Sequence, residues 1–232
     1  MLIDHTNSRV LEVLESRDKQ TLVAWLTAAK QSGVLGLLEE VTTDMWDGYV
    51  EAAKEVFGAQ IRITIDRFHV MKNFQECLSQ ARRQIQRDLP PEAAQALKGT
   101  RWLWLTNPEN LDQEQRQEIE QLKAQFPSLA ALSAQREALR QIFEDRTIRT
   151  AEQGMTRLRQ WCRGALALGL KGLESFCKTL DHWMDKIANY FVSRSSNGQT
   201  EGFNHGIRAI LWRGFGIPNF AHLRSRILHI FG

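Results

Sequence analysis

Residues 40–66, EVTTDMWDGYVEAAKEVFGAQIRITID, decide the fold class of this chain. The stretch opens with a β-prone run that ends on Asp44, and it closes with alternating apolar and non-apolar residues that end on Asp66. Between these runs, apolar residues recur at helical spacing from Trp46 to Phe57. A strand, a helix and a second strand in succession predict two parallel strands joined by a crossover helix. The sequence therefore indicates an α/β domain.

The residues before this stretch predict a hairpin and a helix. MLIDHTNSRVLEVLES, residues 1–16, contains two short β-prone runs joined by a polar turn at 5–8. Residues 18–38 then form a predicted helix, because apolar side chains recur at i, i+3, i+4 and i+7 in Leu22, Trp25, Leu26 and Ala29. Two strands and two helix–strand units thus fill the chain up to Asp66.

The residues after it predict helices only. Residues 68–193 are dominated by Gln, Glu, Arg, Leu and Ala and are interrupted near prolines, which is typical of a series of helices. A further helix from Glu201 places His205 and Arg208 on one face, and a glycine-rich turn at 213–216 and a short basic helix follow. Five aromatic side chains of the helical segment are predicted to lie in the core rather than on stacking surfaces: Trp102, Trp104, Trp161, Phe176 and Trp183.

The composition is that of an ordinary globular protein, with 43% apolar and 25% charged residues among 232. The apolar runs are short and interrupted by charges, so we expect no membrane span. The first residues lack a basic region followed by an apolar core, so we expect no signal peptide. Three cysteines without a CxxC pair are typical of reduced thiols rather than of disulfides or a zinc site. These features predict a cytoplasmic protein.

The net charge of +3 is unevenly distributed along the chain. Residues 67–87 carry five basic side chains and one acidic one, and residues 194–232 carry five basic side chains and a single acid, Glu201. Each of these basic segments adjoins a candidate carboxylate. A basic surface beside acidic residues suits a polyanion held next to metal-binding carboxylates. Solvated helix faces would explain the charge equally well.

Three carboxylates are candidates for a metal site. Asp44 and Asp66 end predicted strands, where α/β sheets usually bind ligands, and Glu201 begins a late helix with a polar face. Carboxylate oxygens are the ligands that Mg²⁺ prefers, and such a metal can support phosphodiester cleavage. The alternative is structural, because an aspartate at a strand end often caps the following helix, as Asp44 could do.

Two stretches resemble the ISL3 family of bacterial insertion-sequence transposases: VTTDMWDGYVEAAKEVFGAQIRITIDRFHVMKNF at 41–74 and NYFVSRSSNGQTEGFNHGIRAILWRGFGIPNF at 189–220. The helical middle is also similar to that family, so the resemblance extends over essentially the whole chain. These transposases are DDE enzymes with a ribonuclease-H-like catalytic domain. The resemblance implies metal-dependent phosphodiester cleavage and strand transfer during DNA transposition, with Mg²⁺ or Mn²⁺ as the cofactor.

The resemblance also implies a role for each matching residue. Asp44, in an Asp-Met-Trp motif, corresponds to the second catalytic carboxylate, and Glu201, in Ser-Asn-Gly-x-x-Glu-Gly, to the third; both would bind the metal. Asp66 and His69 match an Asp-x-x-His signature, which we interpret as a structural or DNA-positioning element. DNA contacts are predicted for the basic residues near these motifs: Arg67, Lys72, Arg82, Arg83, His205, Arg208, Arg213, Arg224 and Arg226.

One departure from the family concerns the first catalytic aspartate. A ribonuclease-H-like domain begins with three antiparallel strands, the first of which carries that residue, whereas only two predicted strands precede the first helix here. Residues 1–19 resemble the second and third strands, which places Asp4 on the second. We therefore expect an α/β chain with an incomplete ribonuclease-H-like fold, in which residues 1–67 and 194–232 form the catalytic domain around an all-helical insertion at 68–193.

Two functions are consistent with these observations. In the first, the chain is the C-terminal catalytic portion of a DNA transposase, which acts on transposon ends and target DNA and has little activity alone because the first aspartate is missing. In the second, it is a non-catalytic DNA-binding or oligomerising protein that modulates a full-length transposase. The expected partners are DNA, further copies of the chain or a full-length relative, and the expected location is the bacterial cytoplasm near the nucleoid.

Overall fold

The computed structural model describes residues 1–170, 172–196 and 198–232 and has a helix-rich mixed α/β architecture. Its strands are short: β1 (Leu2–Asp4), β2 (Arg9–Glu12), β3 (Glu40–Thr43) and β4 (Arg62–Ile65). Two helices alternate with the strands, and the others follow β4: α1 (Lys19–Gln31), α2 (Asp47–Phe57), α3 (Arg67–Asp88), α4 (Pro91–Ala96), α5 (Arg101–Leu105), α6 (Gln113–Gln125), α7 (Pro127–Glu144), α8 (Ala151–Leu166), α9 (Leu173–His182), α10 (Met184–Ala188), α11 (Tyr190–Ser193), α12 (Gly198–Arg213) and α13 (Phe220–Phe231). A short 3₁₀ helix spans Pro108–Asn110.

The chain divides into two compact units. Met1–Asp66 and Ser195–Gly232 make up the strand unit, which contains the four strands with α1, α2, α12 and α13. Arg67–Arg194 make up the helical unit, with α3 to α11. Within the described parts of the chain, no helix has the combination of length and apolar character that crossing a membrane requires.

β1 and β2 form an antiparallel hairpin, which confirms the sequence prediction. The Oδ1 atom of Asp4 accepts hydrogen bonds from the backbone N–H groups of Thr6 and Asn7, at 3.0 and 3.1 Å. A short acidic side chain thereby satisfies backbone donors that the turn leaves open. Ser8 completes the reversal in the left-handed region, with a φ of 52°. The polar residues of the turn therefore determine where the hairpin reverses.

β3 and β4 pair in parallel, with Thr43 opposite Ile65, and α2 connects them. This confirms the predicted parallel crossover. β4 is buried on both faces, since Thr64 is buried as well as Ile63 and Ile65, and α2 buries Val50 and Ala53. In the described part of the chain, the hairpin and the parallel pair are separate sheets of two strands each.

The first helix is shorter than the sequence predicted. α1 begins after Asp18, whose side chain accepts a hydrogen bond from the N–H of Thr21 at 2.7 Å, and it ends at Gln31. Gly33 has a φ of 81°, a left-handed conformation that ends helices and that glycine adopts at little cost. The prediction of one helix over 18–38 was therefore wrong in its C-terminal part, where apolar residues continue without helical backbone.

The helical unit has a core of large apolar side chains. Phe74 of α3 lies against Trp161 of α8 and Phe176 of α9, with ring centroids 5.7 and 4.8 Å from its own. The prediction that Trp102 belongs to the core was wrong, since this residue is 67% exposed. The structure confirms the remaining aromatic predictions by their burial: Trp104, Trp161, Phe176 and Trp183.

Arg194 closes the helical unit at its C-terminal end. Its backbone is left-handed, with a φ of 57°, and its guanidinium lies over the ring of Tyr190 at 5.3 Å. The same guanidinium donates hydrogen bonds of 2.9, 2.7 and 2.5 Å to the backbone carbonyls of Phe143, Asp145 and Ile148. These bonds attach the end of the unit to the end of α7.

In the strand unit, α13 packs on both α12 and the hairpin. Phe203 of α12 meets Phe231 of α13 edge to face, with ring centroids 5.4 Å apart, and Gly206 leaves room for the same ring. α13 contacts β2 through Arg224 and Glu12, whose Nη2 and Oε2 atoms are 2.5 Å apart. None of the residues of α12, all of which the structure describes, is buried.

Candidate functional site

Two aspartates lie where the parallel strands end. Asp44 directly follows β3 and Asp66 directly follows β4. Because the strands are parallel, their carboxyl ends lie at the same edge. The backbone N–H of Asp66 donates a 3.2 Å hydrogen bond to the carbonyl of Thr43, which continues the strand pairing to that edge. Ligands of open α/β sheets bind at such an edge.

The two aspartates differ in accessibility. Asp66 is buried, whereas the side chain of Asp44 is 39% exposed. A carboxylate that binds a metal ion has to reach solvent on at least one side, since the ion arrives from there. The geometry therefore favours Asp44 for contact with a ligand and a supporting role within the fold for Asp66.

Arg17 lies next to Asp44, and no motif or spacing in the sequence singles it out. Its Nη2 atom is 3.9 Å from Oδ2 of Asp44, and its guanidinium lies over the rings of Trp46 and Tyr49 at 5.5 and 5.4 Å. Stacking of this kind holds a guanidinium in place while leaving its donors available. Arg17 belongs to the loop between β2 and α1, so only the folded chain brings it to the strand edge.

Glu201 lies in the first turn of α12 and is exposed. The segment that leads to it has two contacts within the strand unit. Ser195 donates a 3.3 Å hydrogen bond from Oγ to Oε2 of Glu40, the first residue of β3. Gln199 donates a 3.1 Å hydrogen bond from Nε2 to Oγ of Ser8 in the hairpin turn. These contacts attach the start of α12 to both strand pairs.

The structure does not gather the candidate carboxylates into one complete metal site. Ser195 contacts the N-terminal end of β3, whereas Asp44 follows its C-terminal end. Across the described parts of the chain, no group of three or more His, Cys, Asp or Glu side chains is placed to hold a metal ion. The carboxylate oxygens of Asp44 and Glu201 suit a hard divalent cation, but they do not make a full ligand set. Asn197, in the motif before Glu201, lies outside the described residues.

The Asp-x-x-His signature joins a strand end to a helix start. Asp66 is the last residue of the first segment of the strand unit, and His69 lies in the first turn of α3, in the helical unit. The ring of His69 meets the neighbouring ring of Phe68 edge to face, with centroids 5.6 Å apart. The half-buried position of His69 is compatible with a structural role.

The basic residues predicted to contact DNA have different partners in the helical unit. Arg82 donates a 2.8 Å hydrogen bond from Nη1 to the carbonyl of Leu97, so part of its guanidinium connects α3 to the end of α4. Arg83 is more exposed and pairs with Glu76, with 2.6 Å between Nη2 and Oε1. The other two lie in the first two turns of α3: Arg67, which is half-buried, and Lys72, which is exposed.

In the strand unit, one predicted DNA contact has a structural partner. Arg224 donates hydrogen bonds from Nε and Nη2 to the two carboxylate oxygens of Glu12, at 2.6 and 2.5 Å. Burial would raise the pKa of Glu12, but the hydrogen bonds from Arg224 and from the N–H of Val13 outweigh it, and the pKa is lowered. The other predicted contacts of this unit are exposed: His205, Arg208, Arg213 and Arg226.

Asp4 has a role in the hairpin turn. Besides its two backbone hydrogen bonds, its Oδ2 accepts one from Nδ2 of Asn7 at 2.6 Å and one from Nε of Arg9 at 3.4 Å. The hydrogen bonds from Asn7 are the main reason why the pKa of Asp4 is lowered. This carboxylate therefore already has partners within the turn.

Comparison with known proteins places the chain among transposases. A family model of DDE transposases of the ISL3 type, described as "Transposase", matches residues 1–227. A curated relative, the transposase for insertion sequence element IS1001 of Bordetella parapertussis, is 24% identical over 221 residues, which are 93% of this chain and 53% of the relative. The chain thus spans about half the length of that relative. No solved structure matches. The match over residues 1–227 shows that the chain belongs to the ISL3 family of DDE transposases.

Proposed function

We propose that the strand unit is the catalytic portion of a DNA transposase, in which Asp44 and Glu201 are the second and third carboxylates of the DDE centre. The observation that carries this proposal is the position of Asp44. It is a partly exposed carboxylate at the end where two parallel strands finish, in a chain that the family model matches over residues 1–227. The substrate class is DNA, at transposon ends and target sites, and the reaction would take place in the cytoplasm with the bacterial chromosome.

The division into strand pairs supports a ribonuclease-H-like frame. Sheets of two strands are marginal and leave strand edges open. One further strand, antiparallel to β1, could join the hairpin and the parallel pair into a single sheet. In such a frame the helical unit, Arg67–Arg194, is an insertion between the last strand and the helix that carries Glu201.

The proposed cofactor is Mg²⁺ or Mn²⁺, because DDE transposases typically use divalent metals and the available donors are carboxylate oxygens. When bound, such a metal would activate a water or a 3′-hydroxyl group and stabilise the leaving oxygen. Asp44 and Glu201 would supply two of its ligands. Arg17, held by Trp46 and Tyr49 beside Asp44, would orient a DNA phosphate through charge-assisted hydrogen bonds.

The chain alone should have little activity. None of the described residues completes a three-carboxylate cluster with Asp44 and Glu201, and Asp4 is already bonded within its turn. Residues of a catalytic centre act as a unit, so the loss of one typically lowers the rate by several orders of magnitude. The first carboxylate would have to come from a segment other than these 232 residues.

Two measurements test the catalytic assignment. Mn²⁺ binding, followed by electron paramagnetic resonance, should be weakened at least about tenfold by Asp44→Asn or Glu201→Gln, each of which removes a ligand. The exposed Glu15→Gln should bind Mn²⁺ like the wild type and serves as the control. Equal binding by all variants would contradict the assignment. Robust nicking of plasmid DNA that Asp4→Ala abolishes would show that Asp4 is the first carboxylate after all.

A second candidate function is a non-catalytic DNA-binding protein that modulates a full-length transposase. The exposed Arg208, Arg213 and Arg226 favour it, because they lie in a segment whose single acid is Glu201. DNA binding with a steep salt dependence, but without metal binding at Asp44, would support this function over catalysis. Weak DNA binding that does not depend on salt would argue against both.

A further inference from the structure

The end of α12 has an unusual cap. The N–H of Gly216 donates to the carbonyl of Leu211 at 2.8 Å, and the N–H of Phe215 donates to the carbonyl of Trp212 at 3.2 Å. This pair of bonds is the Schellman motif, which ends helices with one residue in the left-handed region. Glycine usually occupies that position because it has no Cβ atom. Here the residue is Phe215, with a φ of 50°.

Phe215 has no packing contact among the described residues that would compensate for this strained backbone. Its exposed fraction is 101%, and Trp212 on the preceding turn is 82% exposed. Glycines stand on both sides of it, at 214 and 216, whereas the position that favours glycine holds a large apolar ring. A residue that is strained, apolar and exposed at once conflicts with the local rules of stability, and such conflicts concentrate at functional sites.

The surroundings of the two rings are basic. Arg213 lies between them in the sequence, and it lines, with Leu211, Trp212, Phe215 and Gly216, a surface cavity of about 320 Å³. Arg208 and Arg226 are also exposed on α12 and α13. From residue 194 to the end, the single acid is Glu201, which lies three turns away at the other end of α12. This charge favours a polyanion over an apolar or basic protein surface.

We infer that Trp212 and Phe215 form an aromatic wedge that inserts between DNA bases, while Arg213 and the neighbouring arginines contact the phosphates. Proteins that distort DNA insert apolar side chains between base steps and compensate the lost stacking with new contacts. Aromatic rings beside arginines stack on any base without sequence preference. The choice of DNA as the partner rests on the proposed function.

The wedge would act at a fixed distance from the candidate catalytic residue. Glu201 and Arg213 both lie in α12, 12 residues apart. At ~1.5 Å per residue this separation is roughly 18 Å. For a helix aligned with the DNA axis it corresponds to about five base pairs, so a distorted base step would lie about half a helical turn of DNA from Glu201.

The test compares the full chain with Phe215→Gly, which supplies the residue that the cap favours. Because the substitution relieves the left-handed strain, the melting temperature of the variant should not fall below that of the wild type and should rise by up to roughly 2 °C. Its affinity for a 30-base-pair mixed-sequence duplex, measured by fluorescence anisotropy, should nevertheless fall at least about fivefold. Wild-type chain should also change the linking number of a plasmid relaxed by topoisomerase, and the variant should not.

Two control variants distinguish the effect of the aromatic wedge on DNA binding from the effect of charge and from that of any exposed apolar side chain. Leu37→Ala removes another exposed apolar side chain of the strand unit and should leave binding and unwinding unchanged. Arg213→Gln should lower the slope of log affinity against log salt by about one and keep the unwinding at saturation.

Equal binding and unwinding by wild type and Phe215→Gly would overturn the wedge and leave the proposed function standing. A change from dimer to monomer in Phe215→Gly, with unaltered DNA affinity, would overturn it in favour of a contact with a second copy. A wild-type chain that binds no DNA would instead contradict the proposed function itself.

Discussion

Two glycines of α8 differ in the space available for a side chain, which depends on how tightly the helical unit is packed around them. A Cβ atom added at Gly154 would overlap the ring of Phe191, which is buried, whereas one added at Gly164 would meet nothing within 4 Å. Gly154→Ala should therefore destabilise the chain by about 1–3 kcal/mol through overpacking. Gly164→Ala should stabilise it by roughly 0.5–1 kcal/mol, because alanine favours a helix interior. Urea denaturation of both variants would measure these changes, and the same sign for both would contradict the packing described.

Glu12 and Arg224 form an ion pair that the sequence alone did not reveal. Arg224 was predicted to contact DNA, and it also donates two hydrogen bonds to the largely buried carboxylate of Glu12. Arg224→Ala would leave that carboxylate without its main partner, which should cost about 2 kcal/mol of unfolding free energy at neutral pH. Exposed Arg226→Ala on the same helix should change stability by less than about 0.5 kcal/mol.

The effect of Arg224→Ala should depend on pH in one direction. The pKa of Glu12 is lowered in the folded chain from an ordinary value of 4.5. A carboxylate with a lowered folded pKa contributes stability above its unfolded pKa and loses that contribution as the pH falls through its folded pKa. The stability difference between wild type and Arg224→Ala should therefore be complete at pH 6 and shrink below about pH 4.5. A difference that grows on acidification would contradict the ion pair.

At the scale of elements, the N-terminus of α8 has a complete capping box. The Oγ1 atom of Thr150 accepts from the N–H of Gln153 at 3.2 Å, and Oε1 of Gln153 accepts from the N–H of Thr150 at 3.3 Å. Thr150→Ala removes one of these bonds and should destabilise the chain by about 1 kcal/mol. Thr156→Ala makes the same change at an exposed position inside the helix and should be neutral or slightly stabilising. Thermal melts of the two variants would show whether the stability depends on the capping hydrogen bond or only on the replacement of threonine by alanine.

The sequence predicted well the elements whose apolar residues recur at a regular spacing or whose last residue is clearly marked. β3, β4 and α2 follow from alternation, helical spacing and β-branched residues within 40–66. Two neighbouring tryptophans of α5 illustrate the opposite case. Residues two apart on a helix point about 200° from each other, so Trp102 and Trp104 could not both face one core, and Trp102 is the exposed one. Composition alone made both look buried.

The candidate site was predictable only in part. Asp44 could be found because it ends a strand and lies in a family motif. Arg17 could not, because its position beside Asp44 depends on how the loop after β2 folds over Trp46. Phe215 was not recognised because the left-handed backbone at the end of α12 has no sequence signal when glycines lie on both sides of it. The roles of such residues depend on tertiary contacts or on the geometry of a helix cap, and the spacing of apolar residues in the sequence does not predict either.

At the scale of the whole molecule, the two units differ in how the chain forms them. The helical unit is one continuous segment, Arg67–Arg194, whereas the strand unit combines Met1–Asp66 with Ser195–Gly232. The core of the helical unit comes from its own helices, and Arg194 bonds its last residue to the end of α7. A continuous segment with its own core meets the requirements for folding alone.

Residues 67–194, produced separately, should therefore fold into a stable helical domain. Circular dichroism should show a helical spectrum and a single cooperative thermal transition, as expected for one domain of this size. Residues 1–66 alone should show no cooperative transition, because they lack α13, whose Arg224 pairs with Glu12 on β2. Residues 67–194 with Phe74→Ala, which empties the centre of the aromatic core, should melt at a clearly lower temperature. If 67–194 is unfolded while 1–66 folds alone, the stability of the chain resides in the strand unit and the helical unit depends on it.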